Sequence, residues 1–362
     1  MPRTDVVVEC PLYRSFRVEQ LAGMFDVPLE QRCRESFSVE VPGRSEAWTI
    51  GAIVGPSGSG KSTVARQTLG DDLYQAAAWP DEKAVIDGFG ERPIKQIIAT
   101  LTSVGFSSPP SWIKPYRVLS RGEQFRCDLA RALLSNRDLV AFDEFTSVVD
   151  RTVAKVGSAA VSRAVRKSRP ARRFVAVTCH YDIIEWLEPD WVLDMATGRL
   201  TRRRLRRPTI RLELRRCRHS IWPMFARYHY LSGSLSRAAR TWVALYRGVA
   251  VAFCATLSVI GRKNHRRISR IVTLPDYQGI GIGMAVVREV ADLHLAEGHR
   301  LNMTAGHPAV IAHCRRSPCW RTVGVRRAGS RGRRWIANYR NSLGRAVVSF
   351  EYLGRAAAGV PE

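Results

Sequence analysis

Short apolar runs alternate with amphipathic segments over the first 200 residues, which predicts a sheet covered by helices. Helical periodicity predicts helices over 62–69 and 94–104, and a third helix after Gln124 that carries Leu129, Leu133 and Leu134 on one side. Residues 107–111, which contain two prolines, predict a loop. Strands are predicted at residues 5–9, 35–41, 47–54, 138–145, 173–180 and 191–195, and the last of these is expected to end the sheet. This alternation is typical of an α/β domain.

The pattern changes after about residue 200, where strands follow one another with few helices between them. Residues 240–246 and 249–258 predict a hairpin around Arg247-Gly248. Further strands are predicted at 209–214, 267–274, 301–304 and 349–353, and helices at 220–230 and 284–297. This second pattern predicts an α+β domain, so we expect two domains, at 1–198 and 199–362.

The whole net charge of +25 lies in the second part. Residues 1–197 contain 25 Lys or Arg and 25 Asp or Glu, whereas residues 198–362 contain 32 basic and 7 acidic residues. Such asymmetry favours a polyanionic partner for the second part and disfavours small cationic substrates. A basic surface that is merely solvated, or that protects an edge strand, is the alternative.

The eight cysteines are scattered, and Met1–Asp5 has no apolar signal region, so free thiols in a reducing cytoplasm are expected. Cys314 and Cys319 have His307 and His313 nearby, but no second cysteine pair stands at zinc-finger spacing. The longest apolar stretch, 248–261, is too short to cross a bilayer and reads as a buried strand. No membrane partner is expected.

A glycine-rich segment follows the apolar run 48–54 and precedes a predicted helix. It matches the P-loop pattern G-x-x-x-x-G-K-[ST], and its residues are Gly55, Pro56, Ser57, Gly58, Ser59, Gly60, Lys61, Ser62 and Thr63. Glycines let backbone N–H groups surround phosphate oxygens, and the helix N-terminus adds its positive end. Lys61 can reach the β- and γ-phosphates of ATP, and Ser62 can bind Mg²⁺.

Two more predicted strands end in polar residues. The first ends in Asp143-Glu144 and the second in His180. Asp143 suits Mg²⁺, which prefers oxygen ligands, and the adjacent Glu144 can orient or deprotonate an attacking water. Ser120 and Gly122 open a predicted helix, so their N–H groups and hydroxyl can form a second anion site.

The order of these motifs resembles the nucleotide-binding domain of the ABC ATPase superfamily over about residues 1–197. Leu119–Gln124 resembles the family's signature motif, with Arg121 where a glycine is usual, and Ser147–Asp150 resembles its D-loop. The resemblance implies ATP and Mg²⁺ as cofactors, with His180 as the switch histidine. It also implies a head-to-tail homodimer with two ATP molecules between the subunits, in which Ser120, Gly122 and Asp150 help to bind ATP.

A second glycine-rich loop follows the predicted strand 267–274 and opens a long helix. Its residues are Gln278, Gly279, Ile280, Gly281, Ile282 and Gly283. The order of strands, loop and helix resembles the GNAT acyltransferases over about residues 209–353. The resemblance implies that this loop binds the pyrophosphate of acetyl-CoA or of another acyl donor.

The acceptor chemistry is less specific in the sequence. Asp276, Tyr228, His229 and His307 are candidates for an acid, a base or a stacking platform. The alternatives are structural: a turn aspartate, an aromatic cluster at a helix end and a helix N-cap. Trp320, Trp335 and Tyr339 lie among arginines and are candidates for stacking on bases, or they are core residues.

The segment Tyr228–Leu231 and the loop Pro275–Gly279 are similar to Mom-type GNAT proteins, which modify adenine in DNA and are carried by phages. We therefore predict an ATPase fused to an acyltransferase that acts on nucleic acid, with DNA favoured over RNA. The alternatives are an ATP-gated DNA clamp with an inactive transferase fold and an acetyltransferase for tRNA, protein or an amine. A transporter ATPase is disfavoured by the fused basic domain.

Overall fold

The computed structural model describes residues 3–11, 13–27, 32–75, 77–202, 205, 207–229, 233–327 and 346–355. The chain forms two compact units, each made of separate stretches of sequence. The first unit contains residues 1–77, 135–149 and 162–207, and the second contains 78–134, 150–161 and 208–362. The expected linear division at residue 198 remains a prediction, while compactness groups the signature-like segment with the C-terminal part.

The strands and helices follow in chain order. The strands are β1 Arg3–Pro11, β2 Arg32–Glu40, β3 Ile50–Val54, β4 Leu139–Phe142, β5 Arg173–Thr178, β6 Trp191–Asp194, β7 Arg199–Thr201, β8 Glu213–Arg216, β9 Arg240–Tyr246, β10 Val249–Ser258, β11 His265–Thr273, β12 Arg300–Ala305, β13 Trp320–Arg327 and β14 Ala346–Tyr352. The α-helices are α1 Phe16–Phe25, α2 Lys61–Leu69, α3 Ile94–Ser103, α4 Pro109–Trp112, α5 Arg121–Leu133, α6 Arg151–Arg166, α7 Ile184–Leu187, α8 Trp222–Ala226, α9 Ile282–Ala296 and α10 Pro308–Arg316.

The first unit is built on a five-stranded sheet in the order β4-β5-β3-β6-β7. The first four strands are parallel, and their apolar residues pack into one core that includes Ile53, Val175 and Leu193. Strands β1 and β2 form a separate antiparallel pair that contributes Val6 and Val39 to this core. The carboxyl ends of β4, β5 and β3 therefore lie side by side at one edge of the sheet.

The second unit contains a seven-stranded sheet in the order β13-β14-β12-β11-β10-β9-β8. Only β11 and β12 pair in parallel; the other neighbours are antiparallel. The predicted hairpin at 240–258 is confirmed, and Arg247 and Gly248 both have positive φ at its turn. The predicted combination of an α/β first part and an α+β second part is confirmed.

Four element predictions were wrong in detail. β7 pairs antiparallel with β6, so the sheet does not end at residue 195. Residues 109–112 form α4, whose first residue is a proline that suits a helix start. The predicted helix 220–230 is a 3₁₀ turn followed by α8, and residue 230 lies outside the described residues. The strand predicted at 209–214 is confined to 213–216, the part that pairs with β9.

Among the described residues, no helix is long and apolar enough to cross a membrane. Within the same part of the chain, no group of three or more His, Cys, Asp or Glu side chains is placed to hold a metal ion, so the possibility raised by Cys314 and Cys319 gains no support.

Candidate functional site

The P-loop connects β3 to α2 in the first unit. Gly58 and Gly60 have φ values of +81° and +78°, which a residue with a Cβ adopts only with strain. Gly60 is the N-cap of α2 and provides no side-chain cap. The first N–H groups of α2 therefore lack acceptors within the helix and are free to bind an anion.

Polar side chains of the loop point to the same place. The Lys61 ammonium donates a hydrogen bond to the Pro56 carbonyl at 2.6 Å, and the Ser62 hydroxyl donates to Asp143 Oδ1 at 3.1 Å. The Ser59 hydroxyl is buried and has no hydrogen-bond partner among the described residues. These donors fit phosphate oxygens, while Ser62 and Asp143 together fit Mg²⁺.

The carboxylates after β4 lie next to the P-loop because β5 and β3 follow β4 in the sheet. One cavity is lined by Ser57, Lys61, Asp143, Glu144, Val177, Thr178 and Cys179. Glu144 is exposed and has a left-handed φ of +53°, and its N–H donates to Asp143 Oδ1 at 2.9 Å. The predicted pair is thus brought to the predicted phosphate loop.

His180 follows β5 at the same edge. Its Nδ1 lies 3.1 Å from the Thr146 hydroxyl, and its N–H donates to Thr178 Oγ1 at 3.1 Å. Thr146 has a φ of +71°, a strained value for a β-branched residue. Sequence analysis missed Thr146 and Thr178, because neither belongs to a motif and only the folded sheet brings them to the histidine.

The remaining P-loop residues differ in exposure. Pro56, Ser57 and Gly58 are exposed, Thr63 is half-buried and Gly55 is buried. A Cβ on Gly55 would lie 2.5 Å from Ser59 Oγ and 2.9 Å from Met195 Cβ. Gly55 is therefore required by close packing under the loop.

The signature-like motif lies at the start of α5 in the second unit. Ser120 is the N-cap of this helix and forms a capping box with Glu123. The Ser120 N–H and hydroxyl both donate to Glu123 Oε2 at 3.0 Å, and Glu123 Oε1 accepts from Ser111 Oγ at 2.8 Å. The helix end therefore already holds a carboxylate, which an incoming anion would share or displace.

Gly122 and Asp150, which are also predicted to bind ATP, have structural roles beside α6. A Cβ on Gly122 would meet Val153 Cγ1 at 3.3 Å, so this glycine allows α5 to approach α6. The Asp150 carboxylate accepts from the N–H groups of Thr152 and Val153 at 2.9 and 3.1 Å and so caps α6. Binding of ATP by Ser120, Gly122 and Asp150 stays a prediction.

The second glycine-rich loop connects β11 to α9. Gly279 and Gly281 have φ values of +86° and +92°, and Gly281 is the N-cap of α9 without a side-chain cap. A Cβ on Gly283 would lie 2.9 Å from Thr273 Oγ1, which allows the helix to pack closely on β11. Ile280 and Ile282 are buried and anchor the loop. The Gln278 amide donates to the Thr273 carbonyl at 2.9 Å and accepts from the Ser107 N–H at 2.9 Å.

Strands β11 and β12 diverge next to this loop. Their parallel pairing joins 265–268 to 300–303, and within the described strands it stops there. The backbone of β11 from residue 269 onward is therefore open on the side of β12, next to the start of α9.

The acceptor candidates are distributed over three elements. Tyr228 and His229 lie at the end of α8, where Tyr228 packs against the cluster around Trp222 and Phe253. The His229 ring lies 5.9 Å from that of Trp222. His307 is the N-cap of α10, and its Nδ1 accepts from the Ala309 N–H at 3.3 Å. Burial lowers the pKa of His307, which keeps the ring neutral for this cap.

Asp276 lies in the 3₁₀ turn that precedes the glycine-rich loop. The residue is exposed, yet partial desolvation raises the pKa of its carboxyl, and the charge of Arg126 opposes this shift. A carboxyl with a raised pKa suits a general base. Trp335 and Tyr339 lie outside the described residues.

The family model "Acetyltransferase (GNAT) family" matches residues 207–313. The ribosome protection protein VmlR of Bacillus subtilis (strain 168) is 25% identical over an alignment of 119 residues, and the match covers 27% of this chain and 22% of that protein. The chain therefore matches about a fifth of the length of this curated relative.

Two solved structures are similar to part of the chain at low identity. The dimeric ATP-binding cassette MJ0796 bound to ADP and Pi is 18% identical, covering 46% of this chain and 92% of its own, with a TM-score of 0.37. The ribosomal-protein-S18-alanine N-acetyltransferase from Escherichia coli is 16% identical, covering 39% and 93%, with a TM-score of 0.31. The family match lies within the second, basic part of the chain.

Proposed function

We propose that this chain binds and hydrolyses ATP and transfers an acyl group from acetyl-CoA, or a related thioester, to a base of DNA. The observation that carries the proposal is the match of residues 207–313 to the GNAT family within the part of the chain that holds the whole net charge of +25. A polyanionic acceptor fits that charge, whereas a small cationic amine does not.

The ATP half rests on the geometry of the P-loop edge. The loop N–H groups and Lys61 would bind the β- and γ-phosphates, and Ser62 and Asp143 would hold Mg²⁺. Bound Mg²⁺ would neutralise phosphate charge. Glu144 lies at the wall of the same cavity, where it can take a proton from an attacking water, and Thr146 orients His180.

The acyl-donor half rests on the loop Gln278–Gly283 and the opening between β11 and β12. The N–H groups at the start of α9 suit the pyrophosphate of CoA. The side of β11 that β12 does not cover from residue 269 onward suits the amides of the CoA arm, because peptide groups on an open strand side offer donors and acceptors. The thioester would then lie where the two strands separate.

The transfer itself requires an amine nucleophile. The amino nitrogen of a base attacks the thioester carbonyl, the C–S bond breaks, and the thiolate of CoA receives the proton that the amine loses. Asp276, His229 and Tyr228 are the proposed proton carriers. By similarity to Mom-type proteins, we propose adenine as the base. The adenine must be flipped out of the duplex to reach the transferase site.

We further propose a homodimer formed through two shared ATP molecules, as the resemblance to ABC ATPases implies. ATP binding would then bring two basic transferase domains onto one DNA molecule. The protein would act in the cytoplasm on the DNA of a host or a phage.

The test is mass spectrometry of nucleosides from DNA and RNA of cells that express the protein. A new modified nucleoside is expected with the wild type and should disappear in a Gly281→Asp, Gly283→Asp variant, because two carboxylates would repel pyrophosphate. Gly23→Asp, on the exposed side of α1 with open space around it, is the matched control and should keep the modification.

The other outcomes separate the alternatives. A modification found in RNA alone would indicate a tRNA-type acceptor. Unchanged nucleosides together with acetyl-CoA binding would indicate a protein or amine acceptor. Unchanged nucleosides without acetyl-CoA binding would contradict the transferase proposal and favour an ATP-gated DNA clamp.

A further inference from the structure

The acyl-donor loop is packed against the segment 78–134, which carries the signature-like motif and belongs to the same compact unit. Gly279 of the loop faces Gly105, which follows α3. A Cβ on Gly279 would lie 2.7 Å from Gly105 Cα, and a Cβ on Gly105 would lie 2.8 Å from the Gln278 carbonyl oxygen. Both glycines have positive φ, +86° and +89°. The two backbones therefore touch with no room for any side chain between them.

A hydrogen bond from Ser107 holds the Gln278 side chain beside this contact. The Ser107 N–H donates to Gln278 Oε1 at 2.9 Å, while the other end of the same amide donates to the Thr273 carbonyl at 2.9 Å. Gln278 thereby links β11 to the segment after α3. Turning this side chain away would leave the Ser107 N–H, a half-buried donor, without its acceptor.

A buried cation lies on the same side of the loop. Arg126 of α5 is 1% exposed, and its Nε and Nη2 atoms have no hydrogen-bond partner among the described residues. Its Nε would be 3.5 Å from a Cβ on Gly105, which places the guanidinium beside the Gly105–Gly279 contact. Asp276, at the start of the loop, is its strongest electrostatic partner, ahead of Glu123 and Asp150.

Burial of a guanidinium is unfavourable unless charges or hydrogen bonds compensate it. Burial lowers the pKa of Arg126, and the charges of Asp276, Glu123 and Asp150, which lie on three elements, oppose this shift. Arg126 thus attracts the loop electrostatically, while Gly105 and Ser107 fix its position by contact. Ordinary packing of two helical surfaces requires neither a buried guanidinium nor a contact between two glycines with positive φ.

We propose that Gly105, Ser107 and Arg126 are positioning residues of the acyl-donor site, so that the affinity for the acyl donor is set partly by the ATPase-like segment. The inference rests on the proposed acyltransferase function. It assigns the donor site to two parts of the sequence, 105–126 and 276–283.

The decisive variant is Gly105→Ala in the full-length protein. The added Cβ would force the Gln278 carbonyl away and displace the loop that binds pyrophosphate. We expect the Kd for acetyl-CoA, measured by isothermal titration calorimetry, to rise about tenfold or more, because small displacements of a binding loop reduce its fit to the ligand strongly. The Kd for ATP should stay unchanged.

Gly90→Ala is the matched control. Gly90 lies in the same segment, has a φ of +69° and has open space where its Cβ would be. This variant also places alanine at a positive φ, but its Cβ does not touch the donor loop. We expect Gly90→Ala to bind acetyl-CoA with the Kd of the wild type. Its melting temperature should be similar to that of Gly105→Ala.

Arg126 gives a second, independent comparison. Arg126→Lys keeps the positive charge opposite Asp276 and should retain most of the affinity for acetyl-CoA, whereas Arg126→Met should lose it severalfold. A merely structural role would instead make both variants unstable without changing the affinity of the folded fraction.

The outcomes separate this inference from the function on which it rests. If the wild type does not bind acetyl-CoA, the acyltransferase proposal and this inference both fall. If the wild type binds acetyl-CoA and Gly105→Ala binds it as well as Gly90→Ala does, the inference alone is overturned.

Discussion

At the scale of single residues, hydrogen-bonded polar side chains differ in whether they fit a ligand or a structural role. At the nucleotide edge, Ser62, Asp143 and the Glu144 N–H form one continuous chain of hydrogen bonds. In the core of the second unit, His294 is fully buried, and its Nε2 lies 2.9 Å from the Thr256 hydroxyl. The first group faces a cavity and fits a ligand, whereas the second joins α9 to β10 and fits a structural role.

His294 makes folding stability depend on pH. Burial lowers its pKa from the ordinary value of 6.5 to about 4, and Glu297 opposes the shift. Between about pH 4 and pH 6.5, His294 is protonated in the unfolded chain and neutral in the folded chain. Stability should therefore be complete above about pH 6.5 and fall towards pH 4, by at most about 1.4 kcal/mol per pH unit from this group.

Urea unfolding of the wild type and of His294→Gln between pH 4 and 7 checks this expectation. The variant should show a flatter dependence of the free energy of unfolding on pH. His219→Gln, which replaces an exposed histidine, should keep the wild-type slope. Equal slopes in the wild type and His294→Gln would contradict the assignment.

At the scale of elements, the edge strand β13 of the second sheet exposes charged side chains to solvent. Among the described strands, β13 pairs on one side only, with β14, and its residues 321–327 are all exposed. Exposed arginines on an edge discourage pairing with other chains, and they can also follow a phosphate backbone. The carboxylate of Glu351 lies 2.6 Å from Arg321, which leaves Arg326 and Arg327 as the better phosphate ligands.

Replacing Arg326 and Arg327 by alanine distinguishes these roles. If β13 contacts DNA, the variant should bind duplex DNA more weakly, and the slope of log K against log salt should fall by about 2. Fluorescence anisotropy at several salt concentrations measures both quantities.

The double variant Arg14→Ala, Arg17→Ala is the control, because it removes the same charge from exposed positions outside the basic part. It should leave the slope unchanged. A common slope for all three proteins would indicate that β13 is only a protected edge.

At the scale of the whole molecule, the proposal joins two chemistries in one chain. The P-loop edge lies in one compact unit and the acyl-donor loop in the other, so each site is assembled within its own unit. The signature-like segment belongs to the unit that holds the donor loop. Any ligand that engages Ser120 or Gly122 therefore acts on the unit that would bind the acyl donor.

Glu144→Gln should form an ATP-dependent dimer. The substitution keeps the residue's size and removes the carboxylate proposed to take a proton from water, so hydrolysis should nearly cease while ATP stays bound. Sedimentation velocity with ATP and Mg²⁺ should show a dimer, which disappears without nucleotide.

Lys61→Ala is the comparison for this experiment, because it removes the ammonium proposed to bind the phosphates. It should remain monomeric with ATP. A Glu144→Gln protein that stays monomeric at saturating ATP would argue against the shared-ATP dimer.

Local sequence patterns were sufficient to predict where the candidate motifs lie. Residues 55–63, 143–144 and 278–283 were expected at strand ends and helix starts, and the structure has them there, because glycine, charge and backbone direction act within a few residues. The hairpin at 240–258 was predictable as well, since Gly248 at its turn adopts positive φ without strain.

Contacts between distant segments became visible only in the folded chain. The contact of Gly105 with Gly279 joins positions 174 residues apart in the numbering, and neither glycine stands out beside the chain's 27 glycines. Thr146 beside His180, the open side of β11 and the grouping of residues 78–134 with the C-terminal part were likewise absent from local patterns. Close packing selects these contacts among many that hydrophobic periodicity leaves open, because periodicity says which face of an element is buried and not what covers it.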